Sequence, residues 1–393
     1  ICENGTVLAE SRRFTNQMVI TEIDIKKLSV ERRRMNTYEC EGAQDYRVVA
    51  FDMPIEETVL TRRFAKTPFI PSDKQRRTER CEEIFTLQAM GLKKRLVHTN
   101  CQSAVIGLSG GLDSTLALLV TARAFDLAGM DRKGILGITM PGYGTTDRTY
   151  QNALTMARTL GVTLKEISIV PAVDQHFQDI EHDKAVHDIT YENSQARERT
   201  QILMDMANQS NGMVIGTGDL SEMALGWATY NGDHMSMYAV NVSIPKTLVR
   251  HLVQYVADTC EDEELTRVLL DVLDTPVSPE LLPPDHGEIV QKTEDVVGPY
   301  ELHDFFLYYM MRFGFAPSKI YRIAVYAFQD KYGKETIEKW LRKFYWRFFS
   351  QQFKRSCVPD GPKVGTVALS PRGDWRMPSD ASVAMWIQDL EQL

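Results

Sequence analysis

Along this chain the apolar positions fall into short runs and longer helical periods, which alternate from about Asp73 onward. Thr78–Thr99 carries its apolar residues at helical spacing. A short apolar strand, Ala104–Leu108, then runs through Ser109-Gly110-Gly111-Leu112-Asp113-Ser114 into a long apolar helix. Strand 134–140 leads through the loop Pro141–Thr146 to helix 147–160. Strand 163–169 precedes helices 173–180 and 191–208, and strand 213–216 follows. Repeated strand–helix units predict an α/β fold, a parallel sheet with helices on both faces and ligands at the carboxyl ends of the strands. From Thr247 the pattern is mainly helical, over 247–258, 263–273, 300–312, 318–330 and 334–354. Two long irregular segments, Thr275–Pro299 and Cys357–Pro378, are rich in Pro, Gly and charge; loops of that length are active-site lids or disordered.

The first residues read differently. ENGTVLAESRRF and MVITEIDIKKL are two strand-like segments around the polar turn Thr15-Asn16, with a charged helix, Val30–Met35, after them. Two strands alone do not stand in water, so they need a sheet that this chain lacks or keeps only as a remnant. The chain begins at Ile1, mid-pattern, and reads as a piece of something longer. Residues 37–75, with Pro54, Pro68 and Pro71 and no sustained period, read as a linker.

Composition narrows the classes. The 393 residues are 43% apolar and 25% charged, which is ordinary for globular domains, and no apolar run is long enough to cross a membrane. A net charge of −8 argues against a broad polyanion-binding face, so no nucleic-acid partner is expected. Six cysteines (Cys2, Cys40, Cys81, Cys101, Cys260, Cys357) lie far apart with no metal-binding spacing. With no targeting segment visible, they read as buried or idle thiols of a cytoplasmic protein.

The chemistry concentrates at the turns. Gly110 and Gly111 let the backbone turn tightly and approach a ligand with no Cβ in the way. The helix start aims free N–H groups and a positive dipole end at an anion. Ser109 and Ser114 add hydroxyl donors, and Asp113 can hold the cation that such an anion needs. The loop suits pyrophosphate, although a bare glycine turn is also a plain connector. It is neither a Walker loop nor a dinucleotide fingerprint. Ile215–Glu222 again ends a buried strand in a glycine turn that opens a helix, which brings Thr217 and Glu222 to the same rim. Asp113 and Glu222 together could grip a magnesium–nucleotide complex; Glu222 is equally read as an early-helix acid that complements the dipole.

Asn193 and Arg197 are four apart on one helix face, where they would hold a carboxylate or phosphate or simply face solvent. Arg197 and Arg199 point to different faces, so one of them reads as a surface salt bridge. Trp227 and Tyr230 precede the polar turn Asn231-Gly232-Asp233, either as a stacking shelf beside a carboxylate or as core aromatics before a turn. Lys246 opens a helix against the dipole preference, a hint of phosphate binding. Lys354, Arg355, Lys363, Arg372 and Arg376 put cations into FKRSCVPDGPKVG (353–365) and ALSPRGDWRMPSD (368–380), as an anion-covering lid or a solvated face.

In order along the chain, SGGLDS, YENSQARER, IGTGDLSE, GWATYNGDHMS, SIPKTL, QKTEDVVGPYELHDFF and PDGPKVG…LSPRGDWRMPSD resemble NAD synthetase, specifically the synthetase half of its glutamine-dependent form. SGGLDS itself resembles the SGGxDS loop of the ATP-pyrophosphatase group, with its adenine nucleotide alpha-hydrolase-like fold. The resemblance implies a synthetase domain over 76–393, a linker over 37–75, and over 1–36 the last strands of a nitrilase-type glutaminase domain. The Glu–Lys–Cys triad of that domain has no match here, and Cys2 is too close to the start to be its nucleophile.

The implied reaction amidates nicotinic acid adenine dinucleotide to NAD. The nicotinate carboxylate attacks the α-phosphate of ATP, pyrophosphate leaves, and ammonia then displaces AMP from the adenylated carboxylate. The implied ATP-binding residues are Ser109, Gly110, Gly111, Asp113, Ser114, Thr217 and Lys246, with Mg2+ on Asp113 and Glu222. Asp113, Lys246 and Asp233 are the implied catalytic residues, Asp233 as acceptor of the ammonia proton. Asn193, Arg197, Trp227 and Asp233 surround the dinucleotide, with Lys363 and Asp380 in the lid. Ammonia would come from a glutaminase domain, upstream or on a separate chain, or from free ammonium. A homo-oligomer is the expected assembly, although the residues themselves specify none. The rival readings are another amidating or thiolating pyrophosphatase, such as GMP synthetase or a transfer-RNA thiouridine or lysidine synthetase, and a non-catalytic nucleotide-binding module.

Overall fold

The computed structural model describes residues 1–37, 46–54, 56, 59–276, 281–282 and 293–392. Much of the irregular segment Thr275–Pro299 lies outside the described residues. The chain opens with β1 (Cys2–Glu3) and β2 (Thr6–Val7), which among the described residues pair only with each other, and α1 (Ile25–Arg34). The segment MVITEIDIKKL (18–28), expected as a strand, forms none: 18–24 have no strand partner among the described residues, with Met18 and Ile20 exposed, and 25–28 open α1. Alternation needs a neighbouring strand to become a sheet. The helix starts five residues before the expected Val30, because Asp24 caps it by accepting from Lys27 N at 3.0 Å. Glu3 holds this region to the rest: its inaccessible side chain meets Lys27 Nζ and an Arg62 guanidinium nitrogen, each at 3.0 Å. Asp24 meets Lys319 at 2.6 Å.

The regular alternation starts at α2 (Lys74–Thr99), capped by Asp73. It continues as β3 (Ser103–Gly107), α3 (Leu112–Ala128), β4 (Ile135–Thr139), α4 (Asp147–Thr159), β5 (Thr163–Glu166), α5 (Val170–Asp179), α6 (Ile189–Gln209) and β6 (Gly212–Gly216). After α7 (Leu220–Leu225) a two-residue strand, β7 (Tyr238–Ala239), adds to the edge. The five strands form one sheet in the order β5-β4-β3-β6-β7, all parallel. Ala104 pairs with Ile135 on one side and Met213 on the other, so β3 is central. Its side chains alternate between two cores. Ala104 and Ile106 join the core with Leu92 of α2 and Leu116 of α3, while Val105 joins Val214, Val173 and Tyr191. Both faces are therefore covered, which is why these strands read as continuous apolar runs. Each fully buried Ile or Val contributes roughly 1.5–3 kcal/mol.

The remaining helices are α8 (Lys246–Thr259), α9 (Glu263–Asp274), α10 (Thr293–Val297), α11 (Tyr300–Phe313), α12 (Pro317–Ala327), α13 (Lys334–Ser350), α14 (Gln352–Arg355) and α15 (Ala384–Leu390). Helices α8 and α9 pack against α2, α3 and α4, outside the helices that lie on the sheet, whereas α11, α12 and α13 build a third, aromatic core around Phe305, Phe306, Phe344 and Phe348. The segment Cys357–Pro378, expected as an open lid, is seated as a strap. Val358, Val364, Val367 and Leu369 are buried, Asp360 accepts from Ala239 N at 2.8 Å, and Pro362 accepts from Ser243 Oγ at 2.6 Å. The apolar residues between its cations give the strap a core to bind, which the charge pattern alone concealed.

Candidate active site

The carboxyl ends of β3 and β6 carry the two glycine turns, and the adjacent parallel pairing of those strands sets the turns side by side. After β3 the chain turns at Gly110, where φ is +77° and an added Cβ would stand 1.9 Å from the Thr149 carbonyl oxygen. Only glycine fits that approach. Gly111 caps α3 without any side-chain hydrogen bond, so the first N–H groups of the helix stay available. Ser109 Oγ accepts from Gly111 N at 3.2 Å and lies 3.1 Å from Ser114 Oγ. The loop is thus preset by its two serines, in the form of an anion cradle.

Lys246 stands at the centre of the site. As the first residue of α8 it is buried, and its Nζ lies 2.5 Å from Asp113 Oδ2, 2.8 Å from Asp219 Oδ2 and 2.9 Å from Glu222 Oε1. The ring of Tyr300 covers it at 5.2 Å. Burial works against the charge on Lys246, but the three carboxylates outweigh it and hold the lysine protonated, well above its usual value. Burial likewise pushes Glu222 up to about 7, against the attraction of Lys246 and with the like charge of Asp113 adding to the rise. Asp219 caps α7 by accepting from Glu222 N at 2.8 Å.

The cluster is rich in unspent acceptors. Among the described residues Asp113 Oδ1 and Asp219 Oδ2 are buried without a hydrogen bond, Asp219 Oδ2 lying close to the lysine but off a bonding direction. Oxygens of Asp113, Asp219 and Glu222 lie within 4.8 Å of one another. Hard oxygen donors at that spacing beside an anion cradle suit a divalent cation such as Mg2+.

Three residues that the sequence reading did not single out hold this arrangement. Asn241, fully buried, donates from Nδ2 to the Asp113 and Thr217 carbonyls, each at 3.0 Å, and so ties the two turns together. Asp304 accepts from Ser221 Oγ, from Thr247 N at 3.0 Å and from Thr247 Oγ1 at 2.6 Å; Ser221 Oγ in turn accepts from Lys246 N at 2.8 Å. Burial pushes Asp304 up, opposed by those hydrogen bonds. Asp219 is the third. It sits inside the quoted GTGDLSE, where it reads as an ordinary cap, and a lone polar residue in VNVS or HDFF gives no signal of its own.

A second group of expected residues meets around Thr229. Thr229 Oγ1 donates to Asn193 Oδ1 at 2.8 Å, Thr229 N donates to Asp233 Oδ1 at 2.7 Å, and Arg197 donates to the Tyr230 carbonyl at 3.3 Å. Asn193 and Arg197 thus share the helix face that meets the 227–233 turn. Arg199 donates to the Met140 carbonyl at 3.3 Å, at the end of β4. Trp227 is half-buried. It packs on the aromatic C-terminal core, with the Arg347 guanidinium 5.3 Å from its ring. Lys363 is exposed on the strap and paired with Asp374 at 2.5 Å, and Asp380 is exposed beyond it. Among the described residues the ion pair of Lys363 is with Asp374 of the same segment rather than with the carboxylate cluster.

The profile of the NAD synthase family matches residues 85–323, a span from α2 to α12 that contains both turns and the whole carboxylate cluster. The chain belongs to the NAD synthase family. It is 42% identical to a glutamine-dependent NAD(+) synthetase from Mycobacterium leprae over 100% of its own length and 63% of that protein. A glutamine-dependent NAD(+) synthetase from Thermotoga maritima is 31% identical over 76% of this chain and 47% of its own. The chain therefore spans less than two thirds of these NAD synthetase relatives. Among solved structures, a glutamine-dependent NAD(+) synthetase from Cytophaga hutchinsonii superposes with a TM-score of 0.64 at 20% identity, covering 80% of this chain and 56% of that one. That likeness shows the shared fold, the adenine nucleotide alpha-hydrolase-like sheet found in NAD synthetases. Among the described residues no helix is long and apolar enough to cross a membrane.

Proposed function

We propose that this chain amidates nicotinic acid adenine dinucleotide to NAD, using ATP and ammonia and passing through an adenylated carboxylate. The observation that carries this reading is the position of Lys246 among Asp113, Asp219 and Glu222, at the mouth of a serine–glycine loop with free N–H groups. A carboxylate approaches a phosphate only when cations neutralise the repulsion, and this site holds one cation and the ligands for another. Mg2+ bound to Asp113 and Glu222, with Asp219 in reach, would supply positive charge to the phosphate oxygens.

The protein's own groups have distinct tasks. The Ser109–Ser114 loop receives the β- and γ-phosphates, which become the leaving pyrophosphate. Lys246 is left facing the α-phosphate, where charge grows as the nicotinate oxygen attacks. Asn241 and Asp304 keep the two turns and the start of α8 in register, so most of the rate enhancement is positioning and charge stabilisation. Asn193, Arg197 and the Thr229 turn bind the dinucleotide, and Asp233 accepts the proton when ammonia attacks. Trp227 borders that site from the helical core, and Lys363 on the strap and Asp380 just after it contact substrate.

We also assign residues 76–393 to the synthetase domain, 37–75 to a linker and 1–36 to the last strands of a nitrilase-type glutaminase domain, supported by the separation of β1 and β2 from the five-stranded sheet. Ammonia comes from such a domain, upstream or on another chain, or from ammonium, in a cytoplasmic homo-oligomer. Isothermal titration tests the substrate. Binding of nicotinic acid adenine dinucleotide but not xanthosine monophosphate supports the synthetase, and the reverse selects a GMP synthetase.

A further inference from the structure

Away from the carboxylate cluster, the fold joins a thiol to an imidazole. His234 Nε2 lies 3.2 Å from Cys357 Sγ, although the two are 123 residues apart. The other ring nitrogen, Nδ1, is 2.8 Å from the Thr229 carbonyl. A carbonyl only accepts, so in the neutral ring Nδ1 carries the hydrogen and Nε2 offers its lone pair to the thiol. Cys357 therefore has a base in place, held in one tautomer by the backbone. Its Sγ also reaches the Lys354 carbonyl at 3.4 Å, a second acceptor for the same hydrogen. Burial pushes the Cys357 thiol up, so it rests protonated and its reactivity depends on a partner that removes the proton during attack. Half-buried Cys357 is open to small reagents, unlike the buried Cys81.

The position gives this pair a consequence. Thr229, whose carbonyl orients His234, also donates to Asn193 and Asp233. Lys354, three residues before the thiol, donates to the carbonyls of Gly226 at 2.9 Å and Ala228 at 2.6 Å. The turn that carries the dinucleotide residues is thus pinned by the two residues that flank the thiol in space.

We infer that Cys357 is a peroxide-sensitive thiol, activated by His234 and coupled through Thr229 to the dinucleotide turn. The sulfur attacks one peroxide oxygen, an S–O bond forms and the O–O bond breaks. His234 takes the thiol proton and returns it to the departing hydroxide, which leaves as water. Sulfur is oxidised to the sulfenic acid and the peroxide is reduced. The sulfenic sulfur carries no hydrogen for Nε2 to accept, so oxidation removes the His234 contact at 3.2 Å and loosens the ring's hold on Thr229. The thiol chemistry stands independently of the proposed reaction; the effect on substrate binding rests on it.

The test treats the full chain with limiting hydrogen peroxide, traps sulfenic acid with dimedone and quantifies each cysteine by peptide mass spectrometry. Cys357 is expected to label at least tenfold faster than the similarly half-buried Cys101 and Cys260, and His234→Gln to bring it into their range with an unchanged melting temperature. Labelling of Cys357 no faster than those two in the parent chain overturns the activation, whether or not the variant folds. In NAD formation from ammonium, peroxide is expected to raise the KM for the dinucleotide at least threefold, reversibly by a thiol reductant, and to have no effect on Cys357→Ala. A chain that is oxidised at Cys357 through His234 but makes no NAD contradicts the synthetase reading and upholds the thiol. One that makes NAD with its KM unmoved by that oxidation overturns the coupling.

Discussion

The Lys246 ammonium lies 2.5 Å from the Asp113 carboxylate, across 133 residues of chain. Asp113 opens α3 after the serine–glycine turn and Lys246 opens α8, so two helix starts converge on one point at the rim of the sheet. With Asp219 and Glu222 also against the lysine, one cation faces three carboxylates, an imbalance that favours a second cation.

Replacing Lys246 exposes that imbalance. Lys246→Gln leaves three acids close together with no counter-charge, and losing one partner of a buried ionic group costs on the order of 3 kcal/mol. The variant is expected to melt several degrees lower in metal-free buffer and to regain part of the loss with Mg2+, while making no NAD. Equal melting with and without Mg2+ would remove the carboxylates as a cation site.

Asp113→Asn keeps the volume and takes one charge from the reacting phosphates. Removing such a contact costs on the order of 3 kcal/mol, a rate loss of roughly a hundredfold or more. Its melting temperature is expected to stay near that of the parent. Turnover within threefold of the parent excludes Asp113 from the chemistry.

Asn241→Ala separates the two turns without touching a charge. Buried carbonyls of Asp113 and Thr217 lose their shared donor, which costs about 1–3 kcal/mol, and the loops drift apart. Because misplacement of about 1 Å costs up to a hundredfold, kcat is expected to fall by at least tenfold. An unchanged kcat with lowered stability would make Asn241 a fold residue only.

His303 makes stability depend on pH. Burial holds its pKa down at about 4, with Nε2 donating to the Val297 carbonyl at 2.7 Å and Nδ1 buried without a partner. The folded state keeps the ring neutral while the unfolded chain takes up a proton below about 6.5, so stability is full above that pH and falls as pH drops from 6.5 toward 4. The shift corresponds to about 3 kcal/mol. Denaturant titrations at pH 7 and pH 4.5 are expected to show this loss in the parent and a smaller one in His303→Gln. Equal losses would place the acid sensitivity elsewhere.

The sheet and its turns were legible because the physics is local. Ala104–Leu108 is apolar on both faces, and Gly110 sits where only glycine fits, so the run and the turn announce themselves in sequence. The β6 turn is legible from its buried apolar run and its glycines, with the strand starting one residue earlier than expected. What stayed hidden depends on distant partners. Asn241 and Asp304 are single polar residues in apolar surroundings, and their roles exist only once Asp113, Thr217 and Thr247 are folded against them. Strand β7 is two residues long and carries no periodicity. Residues 18–28 show the opposite failure, a strand pattern without a strand to pair with among the described residues and with its second half in α1. At Trp227 the aromatic pattern does not separate shelf from core, because one half-buried ring packs on the helical core and keeps an accessible part.

The central claim is adenylation of the nicotinate carboxylate, and an oxygen label follows that step directly. Nicotinic acid adenine dinucleotide with 18O in its carboxylate is incubated with the chain, ATP, Mg2+ and ammonium, and the nucleotide products are examined by mass spectrometry. Attack on the α-phosphate places one labelled oxygen on phosphorus, and displacement by ammonia leaves it there. The account predicts NAD together with AMP carrying one 18O; ADP as product, or AMP without label, would contradict it.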